Sequence, residues 1–339
     1  MCFGRATLRL LLVPASMVLL AAAAPPPAAL APYIHAGKFE PGDYGWMRGR
    51  FGDASPSDKA RFKAVQDWLT RCMADEQARI GRELATAGVA ASKLPPAPYQ
   101  DAICRDVASA ALTYDGWPSF AAFQADLRTA EPVAGTFLWA TALASDVGGP
   151  TGPDLAQELL ARPLGEQMLR FGVFWGEGEA ASSAPKLSPG VRMIVTSRIS
   201  MAIGRSDYAN TEYLKGVVAK QGWPKISAVG EKAANAAWLI VQHADNDPLF
   251  QLRALRLMEP LVAAGEVSKK NYAYLYDRVM LKTFGTQRYA TQMTCEPGNR
   301  VPLPLEDAKA VDRRRAEAGL PSLAEYQQQM TWLFGKCPS

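Results

Sequence analysis

The chain has 339 residues, with 37 Lys plus Arg, 33 Asp plus Glu, 5 Cys and only 2 His. A composition that is 48% hydrophobic and 21% charged is that of a globular protein, not a disordered or fibrous one. A formal charge of +4, with no basic run beyond Arg313-Arg314-Arg315, excludes a phosphate-tracking protein, and no nucleic-acid partner is expected. Two histidines leave no room for an HExxH site, a three-His zinc site or a Cys2His2 finger.

Arg5 and Arg9 precede an apolar run, Leu10 to Leu20, followed by Ala21-Ala22-Ala23-Ala24 and Pro25-Pro26-Pro27. A basic start, a short apolar centre and a small-residue exit predict a cleaved secretory signal over residues 1–24. The run is too short for a bilayer span of ~20 residues, and no later segment reaches that length. The expected destination is therefore secreted or periplasmic, with no membrane span after signal removal. Residues 25–54, rich in Pro and Gly with Tyr33, Tyr44, Trp46 and Phe51, read as an irregular arm.

From Ser57 the period is helical: Phe62, Val65, Leu69, Cys72, Met73, Ile80 and Leu84 recur at three and four residues, and Gly88 is a stop. A connector, Leu94-Pro95-Pro96-Ala97-Pro98, leads to a second helix carrying Tyr99, Ile103, Val107 and Ala110. Further helices are predicted at about 119–129, 132–145 and 154–171. The Gly/Ser/Pro stretch from Gly176 to Gly190 is the candidate boundary between a helical domain over 55–175 and another over 188–335. Ser188-Pro189 has the N-cap and N1 residues of a helix start. Helices follow at about 211–220, 227–244, 248–264, 269–284, 305–318 and 322–334, the last opened by the capping-box spacing Ser322 to Glu325. No alternating strand stands out, and Arg192 to Thr196 is ambiguous. The fold class is all-α, a multi-helix bundle or stacked helical hairpins. Gly116-Trp117-Pro118 and Gly222-Trp223-Pro224 hint at two weakly related helical halves.

Once a signal is removed, Cys72, Cys104, Cys295 and Cys337 remain. An even count in an exported chain reads as two disulfides. Of the three pairings, Cys72–Cys104 and Cys295–Cys337 keep each pair within one half of the chain; buried free thiols are the alternative. No Cys-x-x-Cys is present, and neither a metal nor a cofactor is expected.

The most informative stretch holds Ala237-Trp238, Gln242-His243, Asp245-Asn246-Asp247-Pro248, Phe250-Gln251, Asp277-Arg278 and Gln287-Arg288-Tyr289-Ala290-Thr291-Gln292. With Trp223-Pro224 before it and Val311-Asp312-Arg313-Arg314 after it, this pattern resembles an uncharacterised bacterial family of unknown function. The resemblance covers roughly residues 210–328. It departs from the family pattern at Ala290, where a glycine is expected, and this bears on a backbone turn. No activity comes with the resemblance.

His243, the one histidine in the body of the chain, suits general acid–base work, with Asp245 or Asp277 orienting its second nitrogen. As the last residue of its helix it is favoured by the dipole as an imidazolium and can bond a last carbonyl, which is the stronger of the two readings. Asp247 before Pro248 reads as an N-cap. Asp245 sits in the turn and is the better partner for His243. Gln287, Tyr289 and Thr291 would share a face of an extended segment, and with Gln292 they offer neutral hydrogen-bonding groups. Asp277 and Arg278, adjacent on a helix, point apart and serve different partners. Phe174-Trp175-Gly176-Glu177-Gly178-Glu179 could supply a carboxylate pair in an aromatic setting. The nucleophile elbow, the P-loop and the dinucleotide fingerprint are all missing, and the Trp and Met positions read as core.

These readings point to an exported helical protein whose C-terminal part recognises a small molecule, peptide or glycan through Gln242, His243, Asp245, Arg278, Gln287, Tyr289 and Gln292. A hydrolase or transferase acting on envelope material, with His243 as base and Asp245 as its orienter, is the alternative. A structural or inhibitory partner of another exported protein is the third possibility.

Overall fold

A computed structural model describes residues 24–89, 99–149, 154–173 and 186–338. The expected signal core, the Leu94–Pro98 connector and the Phe174–Glu179 carboxylate pair lie outside the described residues. The molecule is all-α, with two short antiparallel hairpins.

The helices begin where the caps predict. Helix α1 (Pro56–Thr86) opens on a capping box between Ser55 and Asp58, and α2 (Ala102–Ala110) on Asp101, whose side chain accepts from the Cys104 N–H. Helix α3 (Phe120–Val147) is continuous through Pro132, where the sequence suggested two helices. Ala130 and Ala134, on either side of the proline, are buried in the core, and that packing outweighs the lost backbone bond. Helix α4 (Leu155–Val173) packs back along α3. An added Cβ at Gly165 would fall 2.1 Å from Ser145 Oγ, and one at Gly172 2.6 Å from Phe137. The two helices are therefore antiparallel and in close contact.

Helix α5 (Pro189–Gln221) starts at the predicted Ser188-Pro189 but runs unbroken through the polar stretch read as a gap before 211. The polar residues there are anchored: Arg205 to Asp106, Asp207 to Arg170, and Asn210 to the Arg162 carbonyl. A segment without an apolar stripe is thus held helical by polar partners. The expected helix at 227–244 divides at Gly230 (φ +81°) into a one-turn α6 (Ile226–Val229) and α7 (Glu231–Gln242). Helices α8 (Pro248–Ala263) and α9 (Lys269–Thr283) follow as predicted. Of the expected 305–318 helix only α10 (Val311–Glu317) is α-helical, after a 3₁₀ turn. Helix α11 (Leu323–Phe334) begins on the predicted Ser322–Glu325 capping box.

Two hairpins escaped the sequence reading. β1 (Ile34–His35) pairs with β2 (Lys38–Phe39), and β3 (Met293–Glu296) with β4 (Asn299–Pro302) around Pro297-Gly298. Each is too short to show a period of two. Residues 25–54 hold the first hairpin between two 3₁₀ helices, Ala28–Tyr33 and Gly45–Arg50, and contribute Leu30, Phe39, Tyr44, Trp46, Met47 and Phe51 to the core.

Among the described residues two large hydrophobic cores result, with a small third cluster of Ala273, Ala318 and Leu320. The first joins residues 25–54 to α2, α3 and the first half of α5, through Val191, Ile194 and Ile199. The second centres on α7, α8 and α9, with Leu214 of α5 and Ile80 and Leu84 of α1. Helices α1 and α5 run through both, so the cores cross the expected division between 55–175 and 188–335. Trp117 and Trp223 of the Gly-Trp-Pro pair are each buried, one per core. Gly222 ends α5 as predicted, whereas Gly116 follows an extended stretch. Trp139, expected in the core, is 67% exposed.

Both expected cysteine pairs are bridged: Cys72–Cys104 ties α1 to α2, and Cys295–Cys337 ties β3 to the residues after α11. With the first pair 32 positions apart in sequence, chain-entropy reasoning gives a cross-link worth ~3–4 kcal/mol. Replacing Cys72 and Cys104 together by serine is expected to lower the urea-unfolding free energy by about that amount. An unchanged midpoint would show that the bridge contributes nothing.

Candidate functional site

Helix α4 turns its charges inward. Glu158, Arg162, Glu166 and Arg170 recur every four residues, which puts them on one stripe, and all are buried or half-buried. Arg162 lies over the Tyr213 ring, 3.4 Å from its centre. Glu166, with a side chain 1% exposed, is the deepest; Arg170 Nε donates to its Oε1, and Arg170 Nη2 reaches both oxygens of Asp207 on α5 at 2.8 and 2.7 Å.

His243 meets this pair. It is the C-cap of α7, and its backbone N–H closes the last turn. Its ring does not turn to a terminal carbonyl: Nδ1 stands 2.6 Å from Glu166 Oε1, a close contact that is not aligned as a hydrogen bond. Neither Asp245 nor Asp277 orients the imidazole. Glu166 takes that place.

Asp245, in the turn after α7, is gripped from α9. Arg278 Nη1 donates to one oxygen at 2.6 Å and Lys282 Nζ to the other; Lys282 also reaches Gln251 Oε1 at 3.0 Å. Gln251 returns its amide to the Val241 carbonyl at 3.0 Å, locking the α7–α8 turn. Asp247 caps α8 by accepting from the Phe250 N–H at 2.9 Å, as predicted.

The groups titrate differently because their neighbours differ. Burial pushes Asp207 up to about 7, against the pull of Arg170 and with help from Glu166 and Asp245. Burial acts on Glu166 in the same sense, but His243 and Arg170 outweigh it and hold that carboxyl below its usual range. Asp245 is likewise held low, since Arg278 and Lys282 outweigh its burial. His243 is pushed below 6.5 by burial and by Arg170 and Arg278, more than Glu166 restores. Among the described residues, Glu166, Asp207 and His243 bring ligand-capable atoms to within 4.8 Å of one another. A divalent ion there would have to displace Arg170. It would also meet carboxylates whose oxygens are already bonded by Arg170, Arg278 and Lys282. The donor set therefore fits proton exchange better than metal binding.

The second group of predicted residues does not join this site. Gln287 is fully buried and spends both ends of its amide on backbone: Nε2 donates to the Gln292 and Leu303 carbonyls, and Oε1 accepts from the Gln292 N–H. Asp277, also fully buried, accepts from the N–H groups of Arg288, Tyr289 and Thr291. Tyr289 packs edge-on against Tyr276, and Gln292 reaches only its neighbour Thr291. This polar motif braces the loop ahead of β3. Ala290, where glycine was expected, has φ +55° and is completely buried. The strain of a left-handed alanine, ~1 kcal/mol, is about offset by the buried methyl. Asp277 and Arg278 do point apart, one to the loop and one to Asp245. Gln242 is buried beside His243, with its Oε1 unpaired.

Of the predicted residues, then, the fold gathers His243, Asp245 and Arg278, and adds Glu166, Arg170, Asp207 and Lys282. The four-residue charge spacing on α4 was the available sign, because it falls beside buried Leu159, Pro163 and Leu169. A cleft of about 800 Å³ runs along the same α4–α7 pairing, lined by Pro163, Leu164, Gln167, Trp238 and Leu239 among others.

Residues 153–336 match the model of a family of unknown function, DUF6624, and the chain belongs to that family. The matched segment holds every residue of the cluster and extends beyond the 210–328 seen by resemblance. No curated protein and no solved structure matches the chain.

Two outcomes follow from this geometry. Arg170→Met is expected to cost about 3–5 kcal/mol, because it leaves Glu166 buried without its cation; an unchanged Tm would contradict that. Asp277→Ala strands three backbone donors and is expected to cost about 3 kcal/mol. Hydrogen exchange should then rise at Arg288, Tyr289 and Thr291 while α7 stays protected.

Proposed function

We propose that this member of the family is an exported acid–base enzyme, a hydrolase or transferase acting on a neutral polar envelope compound such as a glycan or peptide. The observation that carries the reading is the convergence of His243, Glu166 and Asp207 from three helices, with His243 favouring its neutral form and Asp207 poised near neutrality. Export rests on the N-terminal pattern and on two disulfides, which belong in an oxidising compartment.

In this reading the Glu166 carboxylate, 2.6 Å from Nδ1, keeps that nitrogen turned inward and leaves Nε2 to take a proton from water. The water oxygen bonds to the electrophilic carbon of the substrate, and the bond to the leaving group breaks. Asp207, in its acid form, supplies the proton that the leaving group needs. Arg278, whose Nε is buried and unpaired, offers a donor to negative charge as it develops. A second reading, recognition without turnover, is favoured by the unpaired Gln242 Oε1 and Arg278 Nε, which suit a ligand's donor and acceptor.

The chain's two histidines make the first test direct, since imidazole NMR titration yields one body signal. His243 is expected to titrate below 6.5, and lower still in Glu166→Gln, because Glu166 raises its proton affinity. Titration at or above 6.5 rules out the neutral base. Turnover on a panel of peptides, glycan fragments and acyl esters separates the readings. His243→Gln and Asp207→Asn are expected to lose at least ~100-fold with the fold retained; binding without turnover in the parent leaves recognition. Activity should fall on the acid side as His243 takes a proton and on the alkaline side through about 7 as Asp207 loses one. Asp207 binds its proton more tightly folded than at its ordinary 3.8. The stability that Asp207 contributes should therefore be lost as pH rises from about 4 to about 7, so the difference in stability between the parent and Asp207→Asn should change across that window.

A further inference from the structure

Helix α11 and the β3–β4 hairpin flank a groove of about 690 Å³ that shares no residue with the acid–base cluster or with the cleft beside α7. Gln328 and Trp332, one helical turn apart, stand on its α11 wall; Asn299 and Arg300 stand on the hairpin wall, and Lys336 lies at its end.

The two walls are fastened to each other. Cys295 of β3, opposite Arg300 in the hairpin register, is bridged to Cys337, the residue after Lys336. Gln327 Nε2 donates to the Arg300 carbonyl at 2.8 Å, Arg300 Nη2 to the Gly335 carbonyl at 3.2 Å, and the Gly298 N–H to the Pro338 carbonyl at 2.8 Å. The groove is thus formed before any ligand arrives, and a ligand need not order it.

The side chains in the groove narrow the ligand. Trp332 is 60% exposed. One exposed aromatic ring is ordinary on a protein surface. Here, however, the indole shares a groove with the exposed amides of Gln328 and Asn299. A flat π face flanked by amides fits a pyranose: the C–H groups on the sugar face pack against the ring, and the hydroxyls exchange hydrogen bonds with amide donors and acceptors. Charge adds a second constraint. Arg300 and Lys336 line the groove and no aspartate or glutamate does; Glu296, across the hairpin from Asn299, stands outside it. Among the described residues neither cation has an ion pair, and Arg300 meets only the Gly335 carbonyl and the Phe334 ring. Two cations without a counter-charge select a ligand that brings carboxylates of its own.

We infer that this groove binds an oligosaccharide carrying carboxylate groups, an acidic glycan of the uronic-acid kind. Trp332 is the stacking platform, Gln328 and Asn299 bond the hydroxyls, and Arg300 and Lys336 take the carboxylates. The groove holds no carboxyl or imidazole to exchange a proton, so it retains the glycan without turning it over. It stands or falls separately from the acid–base reading, because it is measured by binding alone.

Isothermal titration of the purified, oxidised protein tests it with three probes: a galacturonate hexamer, a glucose hexamer and a glutamate hexapeptide. The galacturonate hexamer is expected to bind with a Kd below about 1 mM, at least ~10-fold more tightly than either of the others. Trp332→Ala and Lys336→Glu, both at exposed positions, are each expected to weaken that binding at least ~10-fold while circular dichroism and Tm are kept. Absence of binding by the acidic hexamer, equal binding by the glucose hexamer or the hexapeptide, or a folded variant that binds as the parent does overturns the inference.

Discussion

Glu166 is a carboxylate carried into a helical stack with almost no accessible surface, and the arrangement around it offsets the several kcal/mol that such burial costs. Arg170 supplies the charge from one turn along the same helix. The imidazole of His243 closes from α7, and Asp207 on α5 holds the far side of Arg170. Asp245, Arg278 and Lys282 extend the same balance to α9. No member can leave without stranding another. This is why α4, α5, α7 and α9 meet where they do, and why charges occupy a stripe that apolar residues would ordinarily fill.

That one choice shapes both faces of α4. Charges spaced by four share the inner side of α4 with Leu159, Pro163 and Leu169, while Leu160, Leu164, Met168 and Phe171 face outward. The acid–base cluster and this exposed apolar stripe are thus two sides of one helix. The 800 Å³ cleft takes Leu160, Leu164 and Met168 of that stripe into its wall, and the residues of the cluster do not line it.

The caps, the helical stripes and the cysteine pairing were legible in the sequence because they are local: Ser55, Ser188, Asp247 and Ser322 each act within three residues. The long α5 was not legible. Its middle is held by Arg205, Asp207 and Asn210 reaching partners 37 to 99 residues away, and no window shows that. His243, Asp245 and Arg278 were found from residue type, and Glu166 was missed because its sign, a charge spacing of four shared with Glu158, Arg162 and Arg170, reads equally as a solvated face. Gln287 and Gln292 misled for the converse reason. A neutral polar motif reads as a surface, yet here Gln287 and Asp277 spend their hydrogen bonds on the loop's own backbone. Ala290 carried the better signal: the residue that departed from pattern stands at a left-handed turn.

The two bridges join neighbours in the order of the chain, Cys72 with Cys104 and Cys295 with Cys337. In a chain made N-terminus first, these four thiols therefore emerge as two successive couples, the first complete before either thiol of the second has appeared. Neither bridge has to wait for, or exchange with, a thiol of the other.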